Sequence, residues 1–352
     1  MKYLGRAVSH RLFWPVVMLV ALLAINVIAV PGFLSITVNS EGHLFGSIID
    51  IVRNGAPTLI IAVGMTLVIA TRGIDLSVGS VCAISGAVAC SIILGSPNPD
   101  DPAVVGVAVL AAIGLSLLLG VWNGFLVAVL GIQPIIATLI LMTAGRGIAM
   151  LITEGNILTV ESAPFKFLGS GFVLGIPVAT IFGAVIIIFA ALLTRRTALG
   201  LLIESVGINP EASRLAGVRS RGIIWGAYIA SGILAGVAGV IYASNIKAAD
   251  ANAAGLFIEL YAILAVVLGG TSLAGGKFSI AGTVIGVLII QTLDSTILFL
   301  GVPSAQSPVV FALVVVAVVM VQSPRVRRGL RSMSRSVRAR STADRERAEV
   351  AA

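Results

Sequence analysis

The chain has 352 residues, of which 58% are hydrophobic and 11% charged, with 23 Lys and Arg against 15 Asp and Glu. Soluble domains carry about a quarter charged residues, and the mean hydropathy here is +1.10, which excludes a water-soluble globular fold. The length accommodates about ten spans of ~20 residues joined by short loops, with no room for a second, soluble domain.

Backbone groups in hydrocarbon pair only within helices or closed barrels. A barrel needs alternating strands of about ten residues, whereas the apolar runs here are long, unalternating and rich in Leu, Ile, Val, Ala and Gly. The fold class is therefore all-α: a polytopic helical membrane protein with about ten transmembrane helices, some of them broken or re-entrant. Lys2, Arg6 and Arg11 assign residues 1–12 to the cytoplasm by the positive-inside rule. Span one, Phe13 to Val30, is too long for the core of an ordinary signal peptide and reads as uncleaved. Glu41 and Asp50 follow on the outside. Span two ends near Ala70, and span three covers Ile74 to Leu94, before an external turn from Pro97 to Pro102.

Span four, Ala103 to Leu130, stops at Gly131-Ile132-Gln133-Pro134. Span five starts at Ile135 and ends before Glu154, in an outer loop that contains Glu161. Span six, Val178 to Leu193, is closed on the inside by Arg195 and Arg196. Spans seven to ten fit into Gly222 to Gln322, with an outer loop near Ala248 to Asn252. Residues 13–323 thus form the transmembrane domain, within which 195–221 is a cytoplasmic loop. Residues 324–352 form an Arg-rich cytoplasmic tail, expected to be disordered, and both termini lie inside. Basic residues flanking apolar spans account for the net charge of +8, so no nucleic-acid partner is expected.

Two segments share the pattern G-x-x-L-x-x-G after an apolar run, Gly73 to Gly79 and Gly270 to Gly276. Such paired interruptions mark transport paths made of broken helices, or close helix packing through small residues. Asp75, costly at membrane depth, either caps span three or faces a cavity, with Arg72 as a further partner. Arg146 sits about a dozen residues into span five, too deep to snorkel, and either lines a polar path or pins a broken helix. Asn123, Gln133, Gln291, Asp294 and Glu259 are further polar interruptions; each alone fits ordinary interhelical hydrogen bonding, and together they suit a pore for a neutral hydroxylated solute.

In the inner loop, Asn209 at the N-cap, Pro210 at N1, Glu211 in the first turn and Gly217 at the end delimit a short helix. It is a docking element for a cytoplasmic partner or an interfacial helix on the membrane. No catalytic residue or metal site is expected. Gly270 to Phe278 fails the phosphate-loop pattern at Thr271 and Phe278. Cys82 and Cys90 lie in one apolar run, far from His10 and His43, and read as small buried hydrophobes.

Met65 to Ile69 followed by Gly73-Ile74-Asp75-Leu76-Ser77-Val78-Gly79-Ser80, and Ala265 to Gly276, resemble the signatures of ribose-type ABC sugar-importer permeases. The resemblance covers the chain from the second span to the last. Gln133-Pro134, Ala137 to Met142, Ala144 to Gly147, Ala249 to Asn252 and Ile289-Ile290-Gln291 are most similar to galactofuranose-type members. The resemblance implies a permease of the bacterial inner membrane with no cofactor of its own. ATP and Mg would be bound by a cytoplasmic ATPase subunit. A second permease, identical or not, and a periplasmic sugar-binding protein complete the assembly. Glu211 to Gly217 is similar to the E-A-A-x-x-x-G coupling motif, with Ser213 for the second Ala. It carries ATPase docking onto Glu204, Asn209, Pro210, Glu211, Ala212, Arg214 and Gly217. The substrate-path candidates are Asp75, Asn123, Gln133, Arg146, Asp250, Asn252, Glu259 and Gln291, and the helix-break glycines are Gly73, Gly79, Gly270 and Gly276. The sequence departs from the family at Arg72, where Gly is frequent, and at Tyr261, where Asp is. An ion-coupled secondary transporter is the alternative; it needs no docking helix. A membrane enzyme on lipid-linked sugars would want clustered acids, and only Asp100 and Asp101 adjoin.

Overall fold

The computed structural model describes residues 12–303, 306, 309–313 and 316. The basic N-terminal residues and the Arg-rich tail, with its expected disorder, lie outside the described residues. Contacts divide the chain into two units after Thr292, and the first, up to that residue, holds most of the helices. The second holds the end of one long helix and a further helical stretch over residues 309–313.

Among the described residues the helices in chain order begin with α1 Phe13–Ala29, α2 Ser47–Ala70, α3 Val78–Leu94, α4 Pro102–Gly124 and α5 Pro134–Ile152. Then follow α6 Ala163–Ser170, α7 Val178–Arg196, α8 Leu199–Ile208, α9 Pro210–Leu215, α10 Ser220–Ile246, α11 Ile258–Leu268 and α12 Ile280–Phe299. Helix starts follow local chemistry. Asp101 caps α4, accepting from Ala103 N at 2.9 Å with Pro102 at the first helical position, and Pro134 opens α5 in the same way. A π-helical turn, Phe125–Val129, prolongs α4.

Among the described residues six helices are long and apolar enough to cross a membrane: α2, α4 with its π turn, α5, α7, α10 and α12. Helices α1, α3, α8 and α11 are apolar but shorter. Span three is a helix only from Val78, because residues 71–77 are not helical. Helix α11 is short because residues 250–257 and 269–279 flank it as turns and irregular chain. The chain is also not purely helical. Among the described residues, three antiparallel ladders of two-residue strands stitch the loops: Thr37–Val38 with Leu44–Phe45, Leu158–Thr159 with Ala248–Ala249, and Phe172–Val173 with Ile176–Pro177.

Helix α10 is the packing axis, lying against α2, α3 and α4. Its buried face is mostly small residues, Ser231, Gly232, Ala235, Gly236 and Gly239 among them, with Tyr228, Val240 and Ile241 as the larger ones. A Cβ on Gly232 would come within 2.7 Å of Gly120 Cα and Ser116 O, so α4 and α10 touch backbone to backbone. Between helices in lipid, where apolar burial drives little, such close van der Waals packing is what holds the contact. Cys82 and Cys90 are free and buried in α3.

Candidate functional site

By the positive-inside expectation, the Arg-flanked helix ends are the inner ones. At its inner end α2 stops in a left-handed turn. Arg72 has φ 66°, its N–H donates to Ile69 O at 3.0 Å, and Gly73 N–H donates to Val68 O at 2.9 Å. Helix α11 ends in the same way: Gly270 has φ 88°, and its N–H reaches Val267 O at 2.9 Å while Thr271 N–H reaches Val266 O at 3.2 Å. Both are Schellman closures. The two G-x-x-L-x-x-G segments therefore share a helix-ending geometry, but offset by one residue, with Arg72 rather than Gly73 matching Gly270. Of the break glycines, Gly73 and Gly270 lie in these turns and Gly276 lies in the second irregular segment with φ 89°. Gly79 is instead helical, in the first turn of α3.

The first irregular segment is held by a polar network. Asp75 Oδ1 accepts from Ser77 N (3.1 Å) and Ser77 Oγ (2.6 Å), and Oδ2 accepts from Ser231 Oγ (2.8 Å). Asn123 Nδ2 in turn donates to Ser77 Oγ at 2.7 Å, while its Oδ1 is buried with no partner. Thr138 Oγ1 accepts from Leu76 N at 3.1 Å, and Tyr228 Oη donates to Ile74 O at 3.4 Å. Asp75, Ser77, Asn123 and Ser231 are all buried. Ser231 lies about 16 Å along α10 from its inner end at 1.5 Å per residue, so the network sits within the bundle. Asp75 does not cap α3 itself: the N-cap is Ser77, and Asp75 makes an Asx turn before it. Nor is Arg72 its partner; that guanidinium donates to Ala274 O (3.0 Å) and to Ile208 O. The left-handed backbone at Arg72 sends its side chain across to other segments.

Nearer the outer end, Arg146 Nη1 donates to Ala251 O (2.8 Å) and Ala254 O (2.6 Å). It thereby fixes residues 250–257, the irregular stretch before α11. Asp250 Oδ1 organises the same stretch from within, accepting from Asn252 N (2.9 Å) and Ala253 N (3.2 Å). Glu259, buried in the first turn of α11, brings its carboxylate against α3. A Cβ on Gly79 would strike Glu259 Oε2 and lie 2.5 Å from Gly255 O. The N-terminal turns of two short helices thus meet, with an acid beside the positive ends of both dipoles.

Remaining candidates stand apart. Gln133 is exposed at the start of α5 and makes no capping bond. Gln291 packs on Gly55 of α2, 3.2 Å from where a Cβ would lie. The Asn252 and Asp294 side chains are exposed. Sequence reading missed Ser231, Thr138 and Tyr228, ordinary residues of apolar helices, and Arg53, whose Nη2 donates to Asn245 Oδ1 at 2.8 Å. Arg53 sits two turns into α2, a charge the hydropathy pattern could have flagged.

The inner loop folds as its end signals require. Asn209 Oδ1 accepts from Glu211 N (3.1 Å) and Ala212 N (3.0 Å), and Pro210 opens α9. Gly217, φ 86°, closes it: Gly217 N–H bonds Arg214 O (3.0 Å) and Val218 N–H bonds Ser213 O (2.9 Å). Only Ser213 is buried, while Glu211, Ala212, Arg214 and Leu215 are exposed. Arg214 pairs with Glu211 at 2.6 Å and holds that carboxyl below its ordinary range. Glu204 is not on this helix; it is half-buried on α8.

A family model described as the permease component of branched-chain amino acid transport systems matches residues 47–321. The chain is 47% identical over 323 residues to a galactofuranose transporter permease of Escherichia coli (strain K12), covering 90% of this chain and 92% of that protein. It is 42% identical to a fructose import permease of Bifidobacterium longum (strain NCC 2705), over 92% of this chain and 91% of the relative. A ribose import permease of Escherichia coli (strain K12) is 39% identical over 87% of this chain and 92% of its own. No solved structure gives a significant match.

Proposed function

We propose, since this chain belongs to the family of branched-chain amino acid transport system permease components, that it is the transmembrane permease subunit of an ATP-binding-cassette importer for a monosaccharide. The observation that carries this reading is identity of 39% to 47%, across nearly the whole chain, to permeases named for galactofuranose, fructose and ribose. The sugar is of galactofuranose or ribose type, delivered by a periplasmic binding protein. The chain sits in the bacterial inner membrane, crossing it about ten times with both termini inside. The short helices α3 and α11 count as crossings completed by irregular chain.

In this reading a cytoplasmic ATPase subunit, which binds ATP and Mg, presses on the exposed face of α9. A second permease, identical or different, completes the path. Closure of the ATPase moves α9 and α8 against the inner ends of α2 and α11, and the half-helices shift to switch the path between faces. Asp75, Asn123, Arg146 and Glu259 keep the irregular segments in place, and the path runs along them. The family relationship does not favour the ion-coupled alternative.

The test is reconstitution of the permease with an ATPase subunit and a periplasmic sugar-binding protein. ATP-dependent uptake of the sugar that the binding protein holds is expected. Uptake by the purified chain alone, driven by an ion gradient and indifferent to ATP, would refute the proposal.

A further inference from the structure

We infer that Arg72 is a positioning residue that ties the helix leading into the inner-loop helix to both irregular segments, so that the three move as one. Its guanidinium donates from Nε to Ala274 O at 3.0 Å, in the second irregular segment, and from Nη2 to Ile208 O, the last carbonyl of α8. That carbonyl is unpaired within its own helix, and a cation at a helix C-terminus is favoured by the dipole. A backbone bond runs alongside, from Gly276 N to Ala70 O at 2.9 Å. The approach depends on Gly207: a Cβ there would collide with Ala70 O and come within 2.5 Å of Gly276 N. One exposed arginine therefore joins the end of α2, the chain after α11 and the residue that precedes the Asn209 cap.

The backbone supplies a second indication. Arg72 holds φ 66°, a left-handed conformation that a long side chain seldom adopts and that glycine takes without strain. The equivalent position after α11 is Gly270. A non-glycine residue held in this geometry points to a use for its side chain, and the two carbonyls are that use. The bonds reach across 202 and 136 residues of sequence, so they add nothing to local turn formation. Displacement of α9 and α8 is thereby passed to the segment carrying Asp75 and to the segment after α11. Without the guanidinium the helix moves and these segments lag.

The importance of the tie for transport rests on the importer reading above; its existence does not, and the experiment separates the two. Arg72→Gly removes the side chain while suiting the backbone, so folding is retained. In the reconstituted importer, Arg72→Gly is expected to assemble and keep basal ATP hydrolysis within twofold, while sugar moved per ATP falls at least tenfold. Arg72→Lys, which keeps the charge but not the planar fork, falls between. Hydrogen exchange on the permease alone is expected to quicken in residues 205–209 and 272–277 of Arg72→Gly, and not in α4 or α5. Unchanged exchange in both stretches overturns the tie, whatever the protein transports. Quickened exchange with an unchanged sugar-to-ATP ratio, or loss of hydrolysis and uptake in equal proportion, overturns its role in coupling.

Discussion

Replacing Asp75 tests whether the buried network holds the first irregular segment. In Asp75→Ala three donors lose their acceptor: Ser77 N–H, Ser77 Oγ–H and Ser231 Oγ–H. The two hydroxyls rotate and recover part of the loss. Ser77 N–H is fixed by the backbone at the start of α3 and cannot. A buried donor left unsatisfied costs about 1–3 kcal/mol, so Asp75→Ala is expected to destabilise the permease by about 2–4 kcal/mol. Asp75→Asn keeps an oxygen for Ser77 N–H and offers an amide N–H to Ser231 Oγ, so its cost is about 1 kcal/mol or less. The assay is thermal unfolding of the detergent-solubilised protein, with uptake measured in parallel. A drop of several degrees is expected for the alanine variant, and near-normal melting with an unchanged apparent KM for Asp75→Asn. Wild-type melting of Asp75→Ala would refute the network's structural role. A stable Asp75→Asn with KM raised tenfold would show that the carboxylate contacts the solute directly.

Three further outcomes are expected. Arg146→Ala frees the carbonyls of Ala251 and Ala254, and it should impair uptake more than expression; equal loss of both would mark a purely structural arginine. Gly217→Pro cannot adopt φ 86° and removes the N–H bonded to Arg214 O. Glu211→Arg puts two like charges one turn apart on an exposed helix. Both should abolish transport in a folded permease, and normal co-purification of the ATPase with either would count against docking at α9. Gly79→Val drives a branched side chain into Glu259 and the Gly255 carbonyl, costing about 1–3 kcal/mol or more because backbone cannot yield. The readout is the yield of monodisperse protein, and wild-type yield would show that the two short helices do not meet there.

Long helices were legible because their signals are local. Proline at the first turn of α4 and α5, the arginines ending α7 and the apolar lengths between them place those elements within a few residues. The loop helix α9 was legible for the same reason: Asn209, Pro210 and Gly217 act on backbone groups no more than four residues away. Apolar composition likewise determines a membrane-embedded protein, and long unalternating runs select helices over the closed barrel that also satisfies the backbone in lipid.

What required the tertiary structure is everything made of partners distant in sequence. Hydropathy cannot show that span three is helical only from Val78: the Asp75 carboxylate and the Leu76 N–H are bonded to Ser231 and Thr138, which lie on other helices. The residue in the left-handed turn proved to be Arg72, not its neighbouring glycine, because the gain that keeps it there lies at Ala274 and Ile208. Asp75 and Arg146 could be recognised as costly from the chain alone; which groups receive them depended on how α10 and residues 250–257 pack. Burial and end signals are properties of a segment, whereas a hydrogen-bond network belongs to the packed bundle.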